Sequence, residues 1–303
     1  MTDNVLTLIA EANAVAQMEL AVDTVAAALT PLGAHLLGRQ WLAPRIACDL
    51  YFSDLDPDQA EAASRASLAN QFEAIDVIAQ PVAGRRKQLL VADLESTIIA
   101  NEMLDELADC VGLRSQIAEI TRRAMNDEID FAEALRERVA LLKGLPENAL
   151  EEIAGRIRLI PGAQALVATM RANGAYAVLV SGGFSVYTRR IRQTLGFDHD
   201  VANELIIENA RLSGTVREPI LARAAKLEAL KTIAAERGLS LSATLAVGDG
   251  ANDMAMIDAA GLGIAFHAKP ALAAGARHRI DYADLTALLY AQGYRAGEIV
   301  GVD

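Results

Sequence analysis

Three short apolar runs, each followed at once by polar residues, constrain the fold of this 303-residue chain more than any other feature. The runs are Leu89–Ala92, Tyr176–Val180 and Leu245–Val247. Runs of this kind, separated by helical stretches, are typical of parallel strands that are buried on both faces. In open α/β sheets, ligands bind beyond the carboxyl ends of the strands. The chain therefore predicts one functional edge, to which three strands deliver polar side chains.

Composition narrows the classes of function. Hydrophobic residues make up 52% of the chain, yet no run reaches the ~18 apolar residues of a membrane-spanning helix. The first four residues lack the basic region of a signal peptide, so we expect a cytoplasmic protein with no membrane partner. The net charge of −12 argues against a nucleic-acid partner, although a local cation would still allow an anionic small substrate. Cys48 and Cys110 are too few for a disulfide framework or a thiolate zinc site.

The order of predicted elements divides the chain into two domains. Residues 1–82 have a βαββαβ pattern, which predicts a ferredoxin-like α+β domain, and the basic stretch 84–87 is interpreted as a junction. Residues 88–303 are predicted to form an α/β domain with a Rossmann-like core (88–103 and 160–303) and a parallel sheet. In the core, strands alternate with helices, and the predicted elements include a single strand at 201–207 and a short hairpin arm at 212–216. A helical cap at about 104–159, where no strand pattern occurs, is inserted after the first core strand.

The polar residues that follow the three runs suit a phosphoryl group. Asp93 and Glu95 follow the first run, Ser181 the second, and Asp249 and Asp253 the third. Carboxylates at one edge repel each other unless a cation lies among them, and oxygen ligands together with phosphate favour Mg²⁺. The glycines beside the second and third clusters allow backbone N–H groups to approach an anion.

Asp93 is a candidate nucleophile because a carboxylate is already ionised at neutral pH. It needs neutralising positive charge, which a metal ion and a lysine can supply. Lys226 precedes the third run at the start of a helical stretch, from which it can reach the edge. Taken singly, Asp93 could be a helix cap, Ser181 part of a turn and Lys226 a solvated side chain. Three such strand ends in series favour the functional interpretation.

These residues resemble the motifs of the haloacid dehalogenase (HAD) superfamily, and within it the phosphoserine phosphatase family. The superfamily motifs correspond to Asp93–Thr97, Ser181, Lys226 and Gly248–Asp253. The closer likeness extends over about residues 88–290 and includes Ser181–Phe184, Asn101-Glu102, Ala124-Met125, Phe131–Val139 and Ala268–Pro270. The N-terminal domain resembles the ACT-like domain that precedes the catalytic domain in many bacterial members.

The resemblance implies a Mg²⁺-dependent phosphatase that hydrolyses O-phospho-L-serine to L-serine and phosphate through an aspartyl-phosphate, in serine biosynthesis. It also suggests a homodimer through the N-terminal domain. Carried over by position, the implied catalytic residues are Asp93 as nucleophile and Glu95 as acid and base. The implied phosphate-binding residues are Ser181, Gly182, Lys226 and Asn252, and the implied metal ligands are Asp93, the Glu95 backbone carbonyl and Asp249, supported by Asp253. Glu102 would meet the substrate ammonium and Arg138 its carboxylate, while Met125 and Phe131 close the pocket.

One position departs from the family pattern. Most members have Asp where this chain has Glu95. Glu can perform the same acid–base chemistry, but its extra methylene moves the carboxyl group by roughly 1 Å, a displacement that can slow catalysis. A related branch with Glu at this position transfers the phosphoryl group to homoserine, so such a phosphotransferase is the alternative within the same class. Since that branch lacks the ACT-like domain, hydrolysis is favoured. A non-catalytic amino-acid sensor is the alternative of another class.

Overall fold

An antiparallel N-terminal sheet, a central parallel sheet and a group of helices above it make up the fold. The structure is a computed structural model that describes residues 3–69, 71–125 and 128–301, without the side chain of Met125. Within these residues, no helix is both long and apolar enough to cross a membrane.

The N-terminal sheet has the strand order β2-β3-β1-β4, with every neighbouring pair antiparallel. Two helices connect its strands, and the elements are β1 (Asn4–Ala10), α1 (Met18–Leu29), β2 (His35–Ala43), β3 (Ala47–Ser53), α2 (Pro57–Leu68) and β4 (Ile75–Pro81). The side chain of Asp56 caps α2 by accepting N–H bonds from Asp58 and Gln59. The βαββαβ pattern is therefore confirmed as a ferredoxin-like arrangement. The closer likeness to ACT domains and the domain bounds stay predictions.

The remaining residues form the core and the cap. The first core strand and the cap helices are β5 (Leu89–Ala92), α3 (Met103–Cys110), α4 (Arg114–Met125), α5 (Phe131–Ala140) and α6 (Asn148–Ala154). The chain then continues through α7 (Ala163–Ala172), β6 (Tyr176–Phe184), α8 (Ser185–Leu195), β7 (His199–Asn203), β8 (Leu205–Glu208), β9 (Arg211–Val216), α9 (Arg223–Glu236), β10 (Thr244–Gly248), α10 (Met254–Ala259), β11 (Leu262–Phe266), α11 (Pro270–Gly275), β12 (His278–Ile280) and α12 (Ala287–Ala291).

The central sheet brings the three apolar runs together. Its strand order is β12-β11-β10-β5-β6-β7, and all neighbouring pairs are parallel. Leu90 of β5 lies opposite Leu245 of β10 on one side and Ala177 of β6 on the other. The runs are buried because helices cover both faces of the sheet. The α/β core and the helical cap after its first strand are confirmed, and the carboxyl ends of β5, β6 and β10 lie at the same edge.

The single strand predicted at 201–207 is wrong. Here β7 ends at Asn203, and β8 leaves the central sheet to pair with β9. The Asn203 side chain fixes the point of departure, because its Nδ2 donates to the Gly182 carbonyl at 2.8 Å and its Oδ1 accepts the Leu221 N–H at 2.8 Å. The β8–β9 arm reaches the cap, where Gly144 donates an N–H bond to Leu212.

The N-terminal sheet uses the core as its second layer. Its helix-free face, which includes Ile9 and Ile78, joins the same apolar cluster as α12. Arg85, in the predicted junction, is buried and anchors this interface. Its Nη1 and Nη2 donate to the Asp49 carboxylate at 2.6 and 2.9 Å, and its Nε donates to the Ala291 carbonyl. The two domains are therefore joined by a buried guanidinium that donates hydrogen bonds from all three of its nitrogen atoms.

Replacing Arg85 with Ala would leave the Asp49 carboxylate, which is 0% exposed, without its cation. Loss of one partner of a buried pair costs about 3–5 kcal/mol, so we expect Arg85→Ala to lower the free energy of unfolding by that amount. Chemical denaturation followed by circular dichroism measures the loss. Arg39→Ala is the matched control, because Arg39 and Asp23 form a surface pair with side chains 50% and 66% exposed. Such a pair contributes about 0–1 kcal/mol, and equal losses in the two variants would contradict the anchoring role.

Candidate active site

A cavity of about 770 Å³ opens where β5, β6 and β10 end, between the core and the cap. It gathers most of the residues singled out in the sequence, namely Asp93, Glu95, Glu102, Phe131, Arg138, Gly182, Lys226, Asp249 and Asn252. Ser181, at the carboxyl end of the second run, lines a smaller adjoining recess with Gly182, Lys226 and Asn252. The structure thus brings the predicted residues of core and cap to one place.

Lys226 of α9 lies at the floor of this cavity, between two carboxylates. Its Nζ is 2.7 Å from Asp93 Oδ1 and 2.6 Å from Asp253 Oδ1, and all three side chains are buried. Burial lowers the pKa of Lys226, but the charges of Asp93 and Asp253 outweigh it, so the pKa is raised. Asp93 Oδ1 also accepts the N–H of Leu94 at 2.8 Å. The candidate nucleophile is therefore held in one orientation beside a fixed positive charge.

Three buried carboxylates converge beside this lysine. Asp93, Asp249 and Asp253 each offer an oxygen atom within 4.8 Å of the others. Burial, followed by the negative charge of Asp93, raises the pKa of Asp253 to about 7. Such crowding is relieved by a cation, and a set of hard oxygen donors suits Mg²⁺. The donor set therefore fits the predicted ion, while the Glu95 carbonyl as a further ligand stays a prediction.

The two glycines after Ser181 permit close approach of the cap and of Glu95. A β-carbon at Gly182 would lie 3.1 Å from the Phe131 ring, and one at Gly183 would lie 2.9 Å from Glu95 Oε2. The Gly183 N–H also donates to Ser181 Oγ at 2.9 Å. The sequence suggested only that these glycines expose backbone N–H groups, since their contacts with Phe131 and Glu95 arise from distant parts of the chain.

Glu95 lies between the core and the cap. Its Oε1 accepts the N–H of Met103, the first residue of α3, at 2.8 Å. Burial, and then the charge of Glu102, raise the pKa of Glu95 to about 8. Glu102 is held in turn, because Ser96 Oγ donates to its Oε1 at 2.8 Å. A carboxyl group that keeps its proton near neutral pH is suited to act as a general acid.

The predicted substrate-binding residues of the cap lie on α4 and α5. Arg138 lines the cavity, and its Nε donates to the Ala134 carbonyl of its own helix at 3.1 Å. Within the described part of the chain, its two terminal nitrogens make no hydrogen bond or ion pair. Phe131 is 37% exposed at the start of α5. The side chain of Met125 lies outside the described residues, so its predicted role stays a prediction.

Lys269 is a residue of the site that sequence reasoning missed. Its Nζ lies 2.9 Å from Asp249 Oδ2 and 3.7 Å from Glu102 Oε1. The sequence signal was the short motif Ala268–Pro270, which contributed to the resemblance but carried no role. Because its two partners are distant in sequence, the pattern alone could not pair them.

Comparison with known proteins gives the family. Residues 90–258 match the family model of haloacid dehalogenase-like hydrolases. This chain belongs to the haloacid dehalogenase-like hydrolase family. The phosphoserine phosphatase of Streptomyces coelicolor is 35% identical over 285 residues, which cover 93% of this chain and 70% of that protein. The phosphoserine phosphatase of Archaeoglobus fulgidus is 44% identical over 217 residues, which cover 71% of this chain but only 63% of the relative.

A solved structure extends the likeness to both domains. The HAD family hydrolase from Salmonella enterica serovar Typhi has a TM-score of 0.84 and 27% sequence identity, and the match covers 96% of this chain and 98% of that one. Sequence and structure therefore agree that this chain is a HAD hydrolase, and it spans 63% and 70% of the two curated phosphoserine phosphatases named above.

The contact between Gly183 and Glu95 gives a test of the site geometry. In Gly183→Ala the new β-carbon would meet Glu95 Oε2 at 2.9 Å and Ser181 Oγ at 3.1 Å. Displacing catalytic groups by about 1 Å can cost ~10²-fold in rate, so we expect the kcat with p-nitrophenyl phosphate to fall by about that factor. Gly297→Ala is the control, since nothing lies within 4 Å of its β-carbon. Wild-type turnover in Gly183→Ala would show that the close approach is not needed.

Proposed function

We propose that this HAD hydrolase is a phosphatase that hydrolyses O-phospho-L-serine to L-serine and phosphate, as a step of serine biosynthesis. The observation that carries the proposal is one cavity with two kinds of charged group. Asp93 at the end of β5 and Lys226 of α9 suit a phosphomonoester, while Glu102 and Arg138 offer one anion and one cation to a zwitterionic amino acid. The names of the Streptomyces and Archaeoglobus relatives support the same substrate.

The first step is attack by Asp93. One carboxylate oxygen of Asp93 forms a bond to phosphorus while the bond from phosphorus to the serine oxygen breaks, which gives an aspartyl-phosphate and a serine alkoxide. Lys226 supports this step because its ammonium group already lies 2.7 Å from the Asp93 carboxylate and close to where phosphoryl oxygens would lie. Ser181, Gly182 and Asn252 are proposed to bind the remaining phosphoryl oxygens.

Glu95 is proposed as the acid and then the base. Its raised pKa of about 8 favours the protonated form, which can donate a proton to the departing serine oxygen. The resulting carboxylate then accepts a proton from water as that water attacks the aspartyl-phosphate, which releases phosphate and restores Asp93. The longer Glu side chain is accommodated by the Met103 N–H and by the missing β-carbon at Gly183. This fit supports hydrolysis over transfer to a second alcohol.

Mg²⁺ is the proposed cofactor. Asp93, Asp249 and Asp253 would hold it, with the Glu95 carbonyl as a predicted further ligand. When bound, the ion supplies positive charge that neutralises the phosphoryl oxygens.

The homodimer is proposed to involve the free edge of the N-terminal sheet. β2 is an outer strand whose residues His35, Leu37 and Arg39 are exposed. The opposite outer strand, β4, lies against β12 of the core. An unpaired edge can accept a strand from another chain, and β2 is the edge that remains accessible.

A substrate panel tests the function. Phosphoserine and simple phosphate esters are supplied with Mg²⁺, with and without homoserine, and both free phosphate and phosphohomoserine are followed. We expect phosphoserine to give the highest kcat/KM and free phosphate as the product, with Asp93→Asn reducing turnover by about 10³-fold or more. Asp23→Asn, at an exposed surface position, is the control.

The other results of this panel separate the alternatives. Phosphohomoserine as the main product would favour the phosphotransferase. A folded protein that turns over no substrate would favour the amino-acid sensor, and equal kcat/KM for all esters would contradict specificity for phosphoserine.

Arg138 has a separate prediction, because it is proposed to bind the substrate carboxylate. Charge-assisted hydrogen bonds contribute about 1.5–3 kcal/mol, so we expect Arg138→Ala to lower kcat/KM for phosphoserine by about 10- to 100-fold, mainly through KM. Phosphoethanolamine has the same ammonium and phosphate without the carboxylate, and its already low kcat/KM should change little. Arg136→Ala on the same helix is the matched control, because Arg136 pairs with Glu218 at the surface. Equal losses with both substrates would remove Arg138 from carboxylate recognition.

A further inference from the structure

Lys269 is a cation of the cavity that the proposed reaction does not use. Its backbone N–H donates to the Asp249 carbonyl at 2.8 Å, which fixes the main chain beside β10. Its side chain, 54% exposed, extends into the cavity to Asp249 Oδ2 at 2.9 Å and to Glu102 Oε1 at 3.7 Å. The residue is therefore anchored at its backbone, while its ammonium group lies at the border between the cavity and solvent.

The two partners of Lys269 are the carboxylates that the proposed function assigns to incoming cations. Asp249 is a proposed ligand of Mg²⁺, and Glu102 is the proposed partner of the substrate ammonium. Lys226 is already engaged by Asp93 and Asp253. Among the described residues, the ion pairs recorded for Asp249 and Glu102 both run to Lys269. Lys269 therefore takes the place of both incoming cations, the metal ion at Asp249 and the substrate ammonium at Glu102.

We infer that Lys269 is an exchangeable counter-ion of the unliganded pocket. It balances the charges of Asp249 and Glu102, and it gives up the first to Mg²⁺ and the second to the substrate ammonium. The exchange is easy on the lysine side, because the Lys269 side chain is 54% exposed and its flexible four-carbon stem can turn to water, whereas Asp249 stays buried and needs a cation in its place. The exchange with the substrate ammonium rests on the proposed substrate, whereas the exchange with Mg²⁺ rests only on the proposed metal site at the carboxylates Asp93, Asp249 and Asp253.

If Lys269 competes with Mg²⁺ and with the substrate ammonium, removing its charge must strengthen the binding of both cations. Lys269→Met keeps the length of the stem and removes the charge, so both carboxylates become more available to other cations. We expect Mg²⁺ alone, titrated into the substrate-free protein by calorimetry, to bind about three- to tenfold more tightly to Lys269→Met than to wild type, as suits loss of a partly exposed pair. A lysine that merely orients Asp249 would give the opposite result, since its loss would weaken Mg²⁺ binding.

Two control variants isolate the charge. Lys269→Arg keeps the positive charge, and its affinity for Mg²⁺ should lie within about twofold of the wild-type affinity, because the ion pairs with Asp249 and Glu102 are largely retained. Lys231→Met removes an exposed lysine that lies 3.9 Å from Glu228 on α9, away from the cavity, and should leave Mg²⁺ binding unchanged. Lys269→Gln, which retains a polar side chain, repeats the measurement if the Met variant folds poorly.

The exchange between Lys269 and the substrate ammonium is tested by a separate measurement, the KM. With saturating Mg²⁺, Lys269→Met should lower the KM for phosphoserine by about threefold, while the KM for 3-phosphooxypropionate, which lacks the ammonium, should not fall. Unchanged or weaker Mg²⁺ binding in both Lys269→Met and Lys269→Gln would overturn the exchange. If phosphoserine is not a substrate at all, the proposed function fails, while Mg²⁺ binding still decides whether Lys269 is a counter-ion.

Discussion

The buried ion pairs of Lys226 with Asp93 and Asp253 are the interaction on which the rest of the structure depends. Charges removed from water are costly unless each has a close partner, and removal of one partner leaves an uncompensated charge. Here the ammonium is within 2.7 Å of both carboxylates, and Asp249 lies beside them. These groups meet only if β5, β10 and α9 keep their register. The apolar strands beneath the site thus maintain an arrangement that is unfavourable by itself, as is common at functional sites.

The proposed function places phosphoryl chemistry and substrate selection in different parts of the fold. Asp93 follows β5, Asp253 follows β10 and Lys226 lies on α9, all within the core. Glu102 lies where the chain enters the cap, and Arg138 belongs to the cap, which contacts the core where Phe131 packs on Gly182. A movement of the cap would therefore change access and selectivity while the charged groups of the core stay in place. Glu95 is the exception, because it extends from the core and is bonded to α3 of the cap.

The sequence predicted those features that follow from local rules. Continuous apolar runs predict buried parallel strands, and the site follows because polar residues end each run. Features that depend on distant partners could not be predicted in this way. Arg85 belonged to a basic stretch interpreted as a junction, yet it is buried because Asp49, 36 positions earlier, lies opposite it. Likewise, nothing local indicated that Lys269 meets Glu102. The strand predicted at 201–207 was wrong because Asn203, whose side chain bonds Gly182 and Leu221, ends it early.

A chain of hydrogen bonds connects the N-terminal domain with the active site. The Asp76 carboxylate accepts N–H bonds from Asp281 and Ala283, just after β12. The last residue of β12 accepts the N–H of His267, and two residues later Lys269 donates its N–H to Asp249. A continuous path of hydrogen bonds couples two sites only where one of its groups can adopt two discrete arrangements. In the exchange proposed for Lys269, the ammonium group has two such arrangements, either on Asp249 and Glu102 or in water. A displacement of β12 would therefore reach metal and substrate binding through that side chain.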